Sequence, residues 1–399
     1  MTRWHAPRSG HIADVSEPTT GQGLSAGERD RLAQVATAEQ VGILNLPTDD
    51  PRDPKRRRRV EATRPELLSQ PAAVVATWEH NHDRLRDTAA AIARRASARV
   101  FLVGAGDSLA VAHAARYFLE ATLQVWCEPV QSLEFAKYVA VLPRDSLVIA
   151  LSSSGETTST VEAMLVAQAA GALTVAVTNS PTSTLAELSL HTLTVQATRV
   201  GWPTQSSTAA LGLLLQLGVL VDAHRDAAGH SEHAKALEAL PSSMEQTLSR
   251  SDGVVADLAG REQAAGMHLF CGGGPNWASA VVGAAKVKEC TPGHALAVQV
   301  EEYHHYNSQK AGEPLWLLAP AGPSVPRAVD TAREARRFGG QVYVATSQGE
   351  SAFDGVADAI VRLPAAPELL SPLLYFLPGQ LVGYHVAMAQ FAAAGAVAS

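Results

Sequence analysis

The chain has 399 residues, of which 46% are hydrophobic and 18% charged, and its formal net charge is −7. This length allows two or three ordinary domains with sizeable cores, and the composition is that of a globular protein, which excludes a disordered chain. Broad nucleic-acid binding needs a basic field, so the mild acidity argues against a nucleic-acid partner.

The three cysteines are far apart and show no metal-ligand spacing. We therefore expect no disulfide framework and a cytoplasmic location. The first residues lack the apolar segment of a signal peptide. The most apolar stretch, at 207–223, contains Gln216 and two glycines. A membrane span needs about 20 apolar residues, so we expect a core helix and no membrane partner.

Residues 1–64 differ from the rest and are predicted to form an N-terminal extension or linker. A helix is predicted over 25–41, with Ser25 as its N-cap. The basic run KRRRR at 55–59 admits two interpretations, an anion or nucleic-acid patch and a solvated linker. Because only five charges are involved, we expect the linker.

Beyond residue 65, a helical hairpin (65–96) is followed by alternating strands and helices. Helices are predicted at 107–123 and 132–141, and strand segments at 98–106, 125–130, 146–155, 173–179 and 191–197. The pattern then repeats, with strand segments at 267–274, 313–322 and 341–348 and a helix at 276–289. Such alternation predicts an α/β fold with parallel sheets covered on both faces.

The two halves look like copies of one unit, at 99–223 and 266–390. We predict a first domain at 65–240 and a second at 241–399. The third strand of the first copy ends in SSSGET (152–157), whereas that of the second ends in APAGPS (319–324). Only the first copy keeps the hydroxyl-rich loop.

Ligands of such sheets bind at the carboxyl ends of the strands, where helix N-termini suit anions. Ser152, Ser153, Ser154 and Thr157 therefore predict a phosphate cradle, and Ser108 opens a second strand-to-helix turn of the same kind. The alternative is that Ser154 or Thr157 merely caps a helix. One hydroxyl suffices for a cap, so four in six residues favour the cradle.

The turn GAGDSLA (104–110) matches neither the dinucleotide nor the P-loop fingerprint. The predicted ligand is therefore a small phosphate monoester, and no cofactor or metal is expected.

These residues resemble the SIS (sugar isomerase) family, in particular the tandem SIS half of glutamine–fructose-6-phosphate aminotransferases. The resemblance covers about 65–391. It rests on SSSGET against the family's Ser-Gln-Ser-Gly-Glu-Thr, on GDS (106–108) against Gly-Thr-Ser, and on LPGQLVGYHVA (377–387) against the closing helix. It implies two flavodoxin-like α/β/α sandwiches and a sugar phosphate as ligand.

The second copy carries the residues that the resemblance links to chemistry. AAKVKEC (284–290) resembles the family helix whose glutamate moves a proton between sugar C1 and C2, which implies that role for Glu289. VEEYHH (300–305) implies that Glu302 is the motif glutamate and that His305 opens the sugar ring of a neighbouring subunit, hence a homodimer. Independently, Lys286 lies one helical turn from Glu289 and is expected to keep it ionised and positioned.

Three departures limit what the resemblance implies. No glutaminase nucleophile precedes the SIS region, and the lysine-bearing C-terminal tail of the aminotransferases is absent. Transamination by that route is therefore not expected. An insertion at 306–312 follows His305; we expect it at the mouth of the site, where it could also pass the role of His305 to His304.

The leading interpretation is an aldose–ketose isomerase for a phosphorylated sugar or amino sugar. A related alternative is an amino-sugar-phosphate deaminase or fructosamine-phosphate deglycase. A further alternative, from another functional class, is a non-catalytic sugar-phosphate sensor. Glu289 favours an enzyme, because isomerisation requires a carboxylate to shuttle the proton.

Overall fold

The structure is a computed structural model that describes residues 24–48, 50, 52–95, 97–139, 141–224, 227–306 and 309–397. Within these ranges the chain forms two five-stranded parallel sheets flanked by helices. The predicted fold class is therefore confirmed: two tandem α/β units, each with one sheet.

Both sheets are built from short apolar runs whose central strands are buried on both faces, as parallel sheets require. The strands of the first sheet are β1 (Arg99–Gly104), β2 (Cys127–Gln131), β3 (Ser146–Leu151), β4 (Leu173–Thr178) and β5 (His191–Thr194). Those of the second are β6 (Met267–Gly272), β7 (His294–Gln299), β8 (Pro314–Leu318), β9 (Gln341–Ser347) and β10 (Ala359–Leu363). The first sheet has the order β2-β1-β3-β4-β5 and the second β7-β6-β8-β9-β10. The shared order confirms that the halves are copies of one unit.

Helices connect the strands and cover the sheets. Those up to the end of the first sheet are α1 (Ala26–Leu44), α2 (Pro54–Leu68), α3 (Gln70–His80), α4 (His82–Arg95), α5 (Asp107–Leu123), α6 (Ser132–Tyr138), α7 (Thr158–Ala169) and α8 (Thr184–Leu188). The others are α9 (Gln205–Ala223), α10 (Ala227–Glu238), α11 (Leu240–Arg261), α12 (Trp277–Cys290), α13 (Tyr303–Tyr306), α14 (Val325–Arg337) and α15 (Pro372–Val397), with 3-10 turns at Gly274–Asn276 and Glu368–Leu370.

The two edge strands of the second sheet, β7 and β10, are not predicted from the sequence. Both are only partly buried, so neither shows the continuous apolar run that marks the central strands. The helix predicted at 132–141 is shorter than expected and ends at Tyr138.

The helix predicted from 25 to 41 is confirmed as α1, with a capping box between Ser25 and Glu28. The solvated linker expected at 55–59 is wrong about the backbone, which is helical, and right about the three side chains that are exposed. These residues belong to α2, where Arg56 is only 2% exposed and donates from Nε to the Thr48 carbonyl (2.7 Å). The run is thus helical, with Arg56 as an internal donor, while Lys55, Arg57 and Arg58 remain exposed.

The apolar stretch at 207–223 lies in α9. This helix is long and apolar enough to cross a membrane, but 78% of its most apolar window is buried inside the fold. It packs against α3 and α5, which supports the predicted core helix.

Candidate active site

The hydroxyl-rich loop at 152–157 connects β3 to α7 and turns at Gly155, whose φ is +70°. A Cβ at Gly155 would lie 2.0 Å from Ser183 Oγ, so only glycine fits this turn. The backbone is fixed from the neighbouring strand, because Asn179 N donates to the Ser153 carbonyl (3.0 Å). The loop is therefore held rigidly against β4.

The hydroxyls of this loop face one another. Ser152 Oγ lies 2.9 Å from Thr157 Oγ1 and 3.5 Å from Ser154 Oγ, and it accepts from Gly155 N (3.1 Å). Thr157 is the N-cap residue of α7, yet its hydroxyl makes no capping hydrogen bond within the described chain. This arrangement favours the anion cradle over the simple cap, because the hydroxyls converge on one point.

A second turn, after β1, adds Asp107 and Ser108 to the same place. Gly106 has φ +56° and precedes α5, whose first residue is Asp107. Asp107 Oδ2 accepts from Ser207 Oγ (3.1 Å), which is on α9. The first copy thus brings three elements together at the carboxyl end of its sheet.

The second copy contributes the C-terminal turn of α12. Lys286 is 1% exposed, and its Nζ donates to Glu289 Oε2 (2.5 Å) and to Asp107 Oδ2 (2.7 Å). The Glu289 carbonyl accepts from Arg56 Nη1 of α2 (3.2 Å). The expected Lys286–Glu289 contact is present, and the same lysine also bridges the two copies.

These residues surround one cavity of about 180 Å³, which we call the serine-loop cavity. Its lining comprises Ala105, Asp107, Ser108, Leu151, Ser152, Ser153, Ser154, Thr157, Arg199, Pro203, Ser207 and Glu289. Sites for larger ligands typically span about 300–1,000 Å³. The size therefore suits a monosaccharide phosphate better than a dinucleotide.

Burial and oppositely charged neighbours shift the pKa values of Glu289 and Lys286 in opposite directions. Burial raises the pKa of Glu289, Lys286 lowers it, and Asp107 raises it further. Burial would lower the pKa of Lys286, but the carboxylates of Asp107 and Glu289 more than compensate and raise it. Lys286 is thus held as a cation, and Glu289 is a stronger base than an ordinary carboxylate.

The remaining candidates lie elsewhere in this chain. His305 is exposed on α13, with Nε2 3.2 Å from Glu301 Oε1, and Glu302 is also exposed. Both nitrogens of His304 are engaged, Nδ1 with Glu334 Oε2 (2.6 Å) and Nε2 with Thr331 Oγ1 (2.9 Å). Among the described residues, none of these side chains lines the serine-loop cavity.

The insertion at 306–312 includes residues 307 and 308, which lie outside the described residues. Gln309 accepts from the Tyr303 hydroxyl (2.6 Å) and donates to the Glu313 carbonyl (2.7 Å). The described part of the insertion is thus tied to the second copy and contributes nothing to the lining of the cavity.

Two charged residues of the cavity were missed from sequence, Asp107 and Arg199. Asp107 lies inside the predicted strand-to-helix turn at 104–110, and its charge is the feature of the sequence that could have identified it. Arg199 lies in the irregular segment before α9, where no pattern predicts which side chain turns inward.

Comparison with known proteins agrees with this architecture. Residues 94–220 match the SIS domain model. Glutamine–fructose-6-phosphate aminotransferase [isomerizing] of Photorhabdus laumondii is 32% identical over 339 residues, which is 81% of this chain and 55% of the relative. The Escherichia coli K12 enzyme of the same name is 30% identical over 72% of this chain and 48% of its own length. The chain spans about half the length of these curated relatives.

Solved structures share the fold. The C-terminal domain of glucosamine-fructose-6-phosphate aminotransferase from Francisella tularensis has a TM-score of 0.74 at 20% identity, covering 82% of this chain and 95% of that one. Glucosamine-6-phosphate deaminase from Thermotoga maritima has a TM-score of 0.64 at 19% identity, covering 82% and 94%.

The two sheets, their shared order and the matched domain define a protein of two tandem SIS domains. More particularly, the chain is homologous to the isomerase part of glutamine–fructose-6-phosphate aminotransferase.

Proposed function

We propose that this protein is an aldose–ketose isomerase that acts on a phosphorylated sugar or amino sugar through an enediol or enolamine intermediate. The observation that carries the proposal is that the Glu289 carboxylate and the convergent hydroxyls of 152–157 line one small cavity. A phosphate anchor and a base on the same cavity are what this reaction needs. The name of the curated relatives suggests fructose 6-phosphate as a first substrate, and that of the solved Thermotoga maritima deaminase suggests glucosamine 6-phosphate.

In this proposal the phosphate binds to Ser152, Ser154 and Thr157, with Ser108 and Ser153 beside them. The sugar chain then extends toward α12. Glu289 removes the proton from C2 and returns it to C1, so one carboxylate serves both steps. Lys286 holds that carboxylate in place from its buried position.

Ring opening is assigned to His305 of a second copy of this chain, which makes the active form a homodimer. Two features support this choice over His304. The side chain of His305 is 58% exposed and available to a neighbour, whereas both nitrogens of His304 are engaged within α13 and α14. Mixing Glu289→Gln protomers with His305→Ala protomers should restore activity through hybrid sites; a monomeric active protein would contradict this part.

A second candidate within the same chemistry is an amino-sugar-phosphate deaminase or fructosamine-phosphate deglycase. The observation that favours it is the pair of carboxylates, Asp107 and Glu289, on the cavity. Such a pair attracts the ammonium group of an amino sugar. Ammonia release from glucosamine 6-phosphate distinguishes this candidate from a plain isomerase.

The decisive experiment measures exchange of the substrate C–H proton with deuterated solvent, which detects the enediol step whatever the product. The wild type should exchange the C2 proton of a hexose or amino-hexose phosphate. Glu289→Gln should lower the rate by about 10²–10⁴, the range of general-base catalysis, and leave sugar-phosphate affinity within a few-fold.

Lys288→Gln, an exposed change on the same helix, is the matched control and should exchange normally. Glu302→Gln tests the competing carboxylate. If Glu289→Gln keeps full exchange and Glu302→Gln loses it, the base is misassigned. If the wild type binds these sugar phosphates without exchange, the protein is a sensor and not an isomerase.

A further inference from the structure

Asp107 stands at a position where the resembling family has threonine, and its carboxylate joins the first copy to Lys286 of α12. It is the first residue of α5, immediately after the turn at Gly106. Its Oδ2 accepts from Lys286 Nζ at 2.7 Å and from Ser207 Oγ at 3.1 Å. The position of this carboxylate is thus fixed by the start of α5, by Lys286 and by the hydroxyl of Ser207 on α9.

Lys286 is shared between the carboxylates of Asp107 and Glu289. Only 1% of its side chain is exposed, so its ammonium group must be compensated by protein atoms. It has three N–H donors, of which one goes to Glu289 and one to Asp107. One buried cation is therefore divided between two carboxylates, and the three groups together carry a net charge of −1.

A lysine that met Glu289 alone would neutralise it, and a neutralised carboxylate is a weak acceptor for a carbon-bound proton. The second carboxylate changes this in two ways. It takes part of the donation from Lys286, and its own charge repels the charge of Glu289, which lies on the same cavity. Both effects leave Glu289 more ready to accept a proton.

Other charged or titratable groups also surround Glu289. They are Lys286 and the Cys290 thiol on α12, Arg56 and Arg59 on α2, and Arg199 before α9. The arginines cannot lose their protons in the accessible pH range. Asp107 is thus the negative charge that opposes these cations at the base.

We propose, on the basis of the proposed isomerase function, that Asp107 is a positioning residue that draws Lys286 away from exclusive pairing with Glu289 and so keeps Glu289 able to take the substrate proton. Ser207 orients Asp107 for this role. The pKa of Glu289, raised by burial and by Asp107 against the effect of Lys286, agrees with the geometry.

The test compares the wild type with Asp107→Asn, which keeps an acceptor for Lys286 and removes the charge. The side-chain carboxyl of Glu289 is followed by ¹³C NMR in protein labelled at glutamate, with its signal assigned by its loss in Glu289→Gln. We expect the titration midpoint of Glu289 to fall by about one pH unit or more in Asp107→Asn. The acid limb of kcat for proton exchange should move down with it, while KM for the sugar phosphate does not rise.

Asp83→Asn, which removes the same charge from a side chain that is 94% exposed, is the matched control and should leave the midpoint unchanged. If Asp107→Asn does not fold, Asp107→Thr, the family's residue, takes its place. An unmoved Glu289 midpoint in either variant overturns the proposal. A moved midpoint in a protein that exchanges no sugar proton upholds the sharing of Lys286 and overturns the isomerase function alone.

Discussion

The serine-loop cavity and a second cleft occupy equivalent places at the carboxyl ends of the two sheets. The second cleft has a volume of about 400 Å³ and is called here the reciprocal cleft. Its lining comprises Gly273, Gly274, Trp277, Gln299, Val300, Glu301, Ser324 and Arg327 from the second copy and His113, Arg116 and Tyr117 from α5. Each cleft thus joins the loops of one copy to the helix that follows the first strand of the other, α12 or α5.

The helices that close the two clefts differ at the positions that matter. Gly104 and Gly272 are equivalent, since a Cβ at either would collide with the first turn of the following helix. Aligned on them, Lys286 and Glu289 of α12 correspond to Phe118 and Ala121 of α5. The helix at the serine-loop cavity carries the proposed base and its buried partner, whereas α5 carries no ionisable side chain at either equivalent position.

The loops after the third strand of each copy also differ, because the first has hydroxyls where the second has alanines. Ser152 and Ser154 correspond to Ala319 and Ala321 when Gly155 is aligned with Gly322. In the second copy the Glu368 carboxylate packs on this loop: a Cβ at Gly322 would lie 2.7 Å from its Cδ, and one at Gly274 3.6 Å from Oε1. A carboxylate of the chain therefore stands between the two turns that would form a cradle. Both copies keep the scaffold, and only the first keeps the hydroxyls of the proposed cradle.

The largest difference that mutation should reveal concerns the two loop glycines. Gly155→Ala places a Cβ in left-handed backbone, which costs about 1–2 kcal/mol. It also drives the Cβ into Ser183, and overpacking costs about 1–3 kcal/mol more. Gly322→Ala, the matched change, meets only the movable end of Glu368 and should cost much less. Denaturant unfolding measures the free energy of unfolding of both variants. Equal losses of stability would contradict the claim that only the first loop requires glycine at this position.

The next difference lies in phosphate binding. Ser154→Ala gives the first loop the residue that the second already has, and it should weaken sugar-phosphate binding by about 1–3 kcal/mol, the value of a hydrogen bond to a charged group. Ser324→Ala, in the loop of the second copy, should leave affinity unchanged. Calorimetric titration with glucosamine 6-phosphate and with glucosamine compares them. If the unphosphorylated sugar binds equally well, the serine loop is not a phosphate cradle.

Most of the fold could be predicted from sequence, and the reason is physical. Central strands such as β3 are buried on both faces and read as apolar runs that end in glycines. The cradle could be predicted because its residues are contiguous. The edge strand β7 is half exposed and lacks that signature. Asp107 and Arg199 could not be identified because their importance depends on Lys286 and Glu289, which lie more than 80 residues further along the chain.

The basic run at 55–59 shows the limit of charge patterns. Five consecutive cations indicate a solvated segment only when nothing buries them. Here Arg56 reaches the carbonyl of Glu289, and the guanidinium of Arg59 stacks over the ring of Trp202 at 3.8 Å. A guanidinium can be buried when backbone carbonyls and aromatic faces receive it. The carbonyl and the aromatic ring that contact these arginines are distant in sequence, so no local pattern could predict the contacts.

A third difference between the copies lies in the central strands. His268 in β6 corresponds to Val100 in β1 and is 1% exposed, and neither of its ring nitrogens has a hydrogen-bond partner within the described chain. Burial lowers its pKa from 6.5 to about 4. Between these two pH values, His268 is protonated in the unfolded chain and neutral in the folded chain. The free energy of unfolding therefore decreases as the pH falls from about 6.5 to about 4.

His268→Val, which copies the first sheet, should raise the free energy of unfolding by about 1–3 kcal/mol at neutral pH, because buried unpaired polar atoms are removed. Its advantage over the wild type should grow as the pH falls from 6.5 toward 4. His294→Val, at an exposed position of β7, is the control. A pH-independent difference would mean that His268 finds a partner in the folded state.

The smallest expected effect concerns Glu368, the carboxylate that stands in the second cradle. Burial raises its pKa, so the folded state disfavours its charged form. Its contribution is therefore most favourable at low pH and is lost as the pH rises from the ordinary value of a glutamate toward the raised one. Glu368→Gln should match the wild type below that window and exceed its free energy of unfolding at neutral pH. The gain should stay below about 1 kcal/mol, because part of the carboxylate reaches solvent, where salt screens it.

The same variant tests what makes the copies unequal. If the missing hydroxyls of the second loop are decisive, Glu368→Gln still binds one sugar phosphate per chain, because neutralising the carboxylate supplies no donors to replace Ser152 and Ser154. If the carboxylate alone excludes the anion, the variant binds two. Glu134→Gln, at an exposed position of α6, should change neither stability nor stoichiometry. A stoichiometry of two would show that the reciprocal cleft remains a competent anion site, and the asymmetry between the copies would then rest on one side chain rather than on the whole loop.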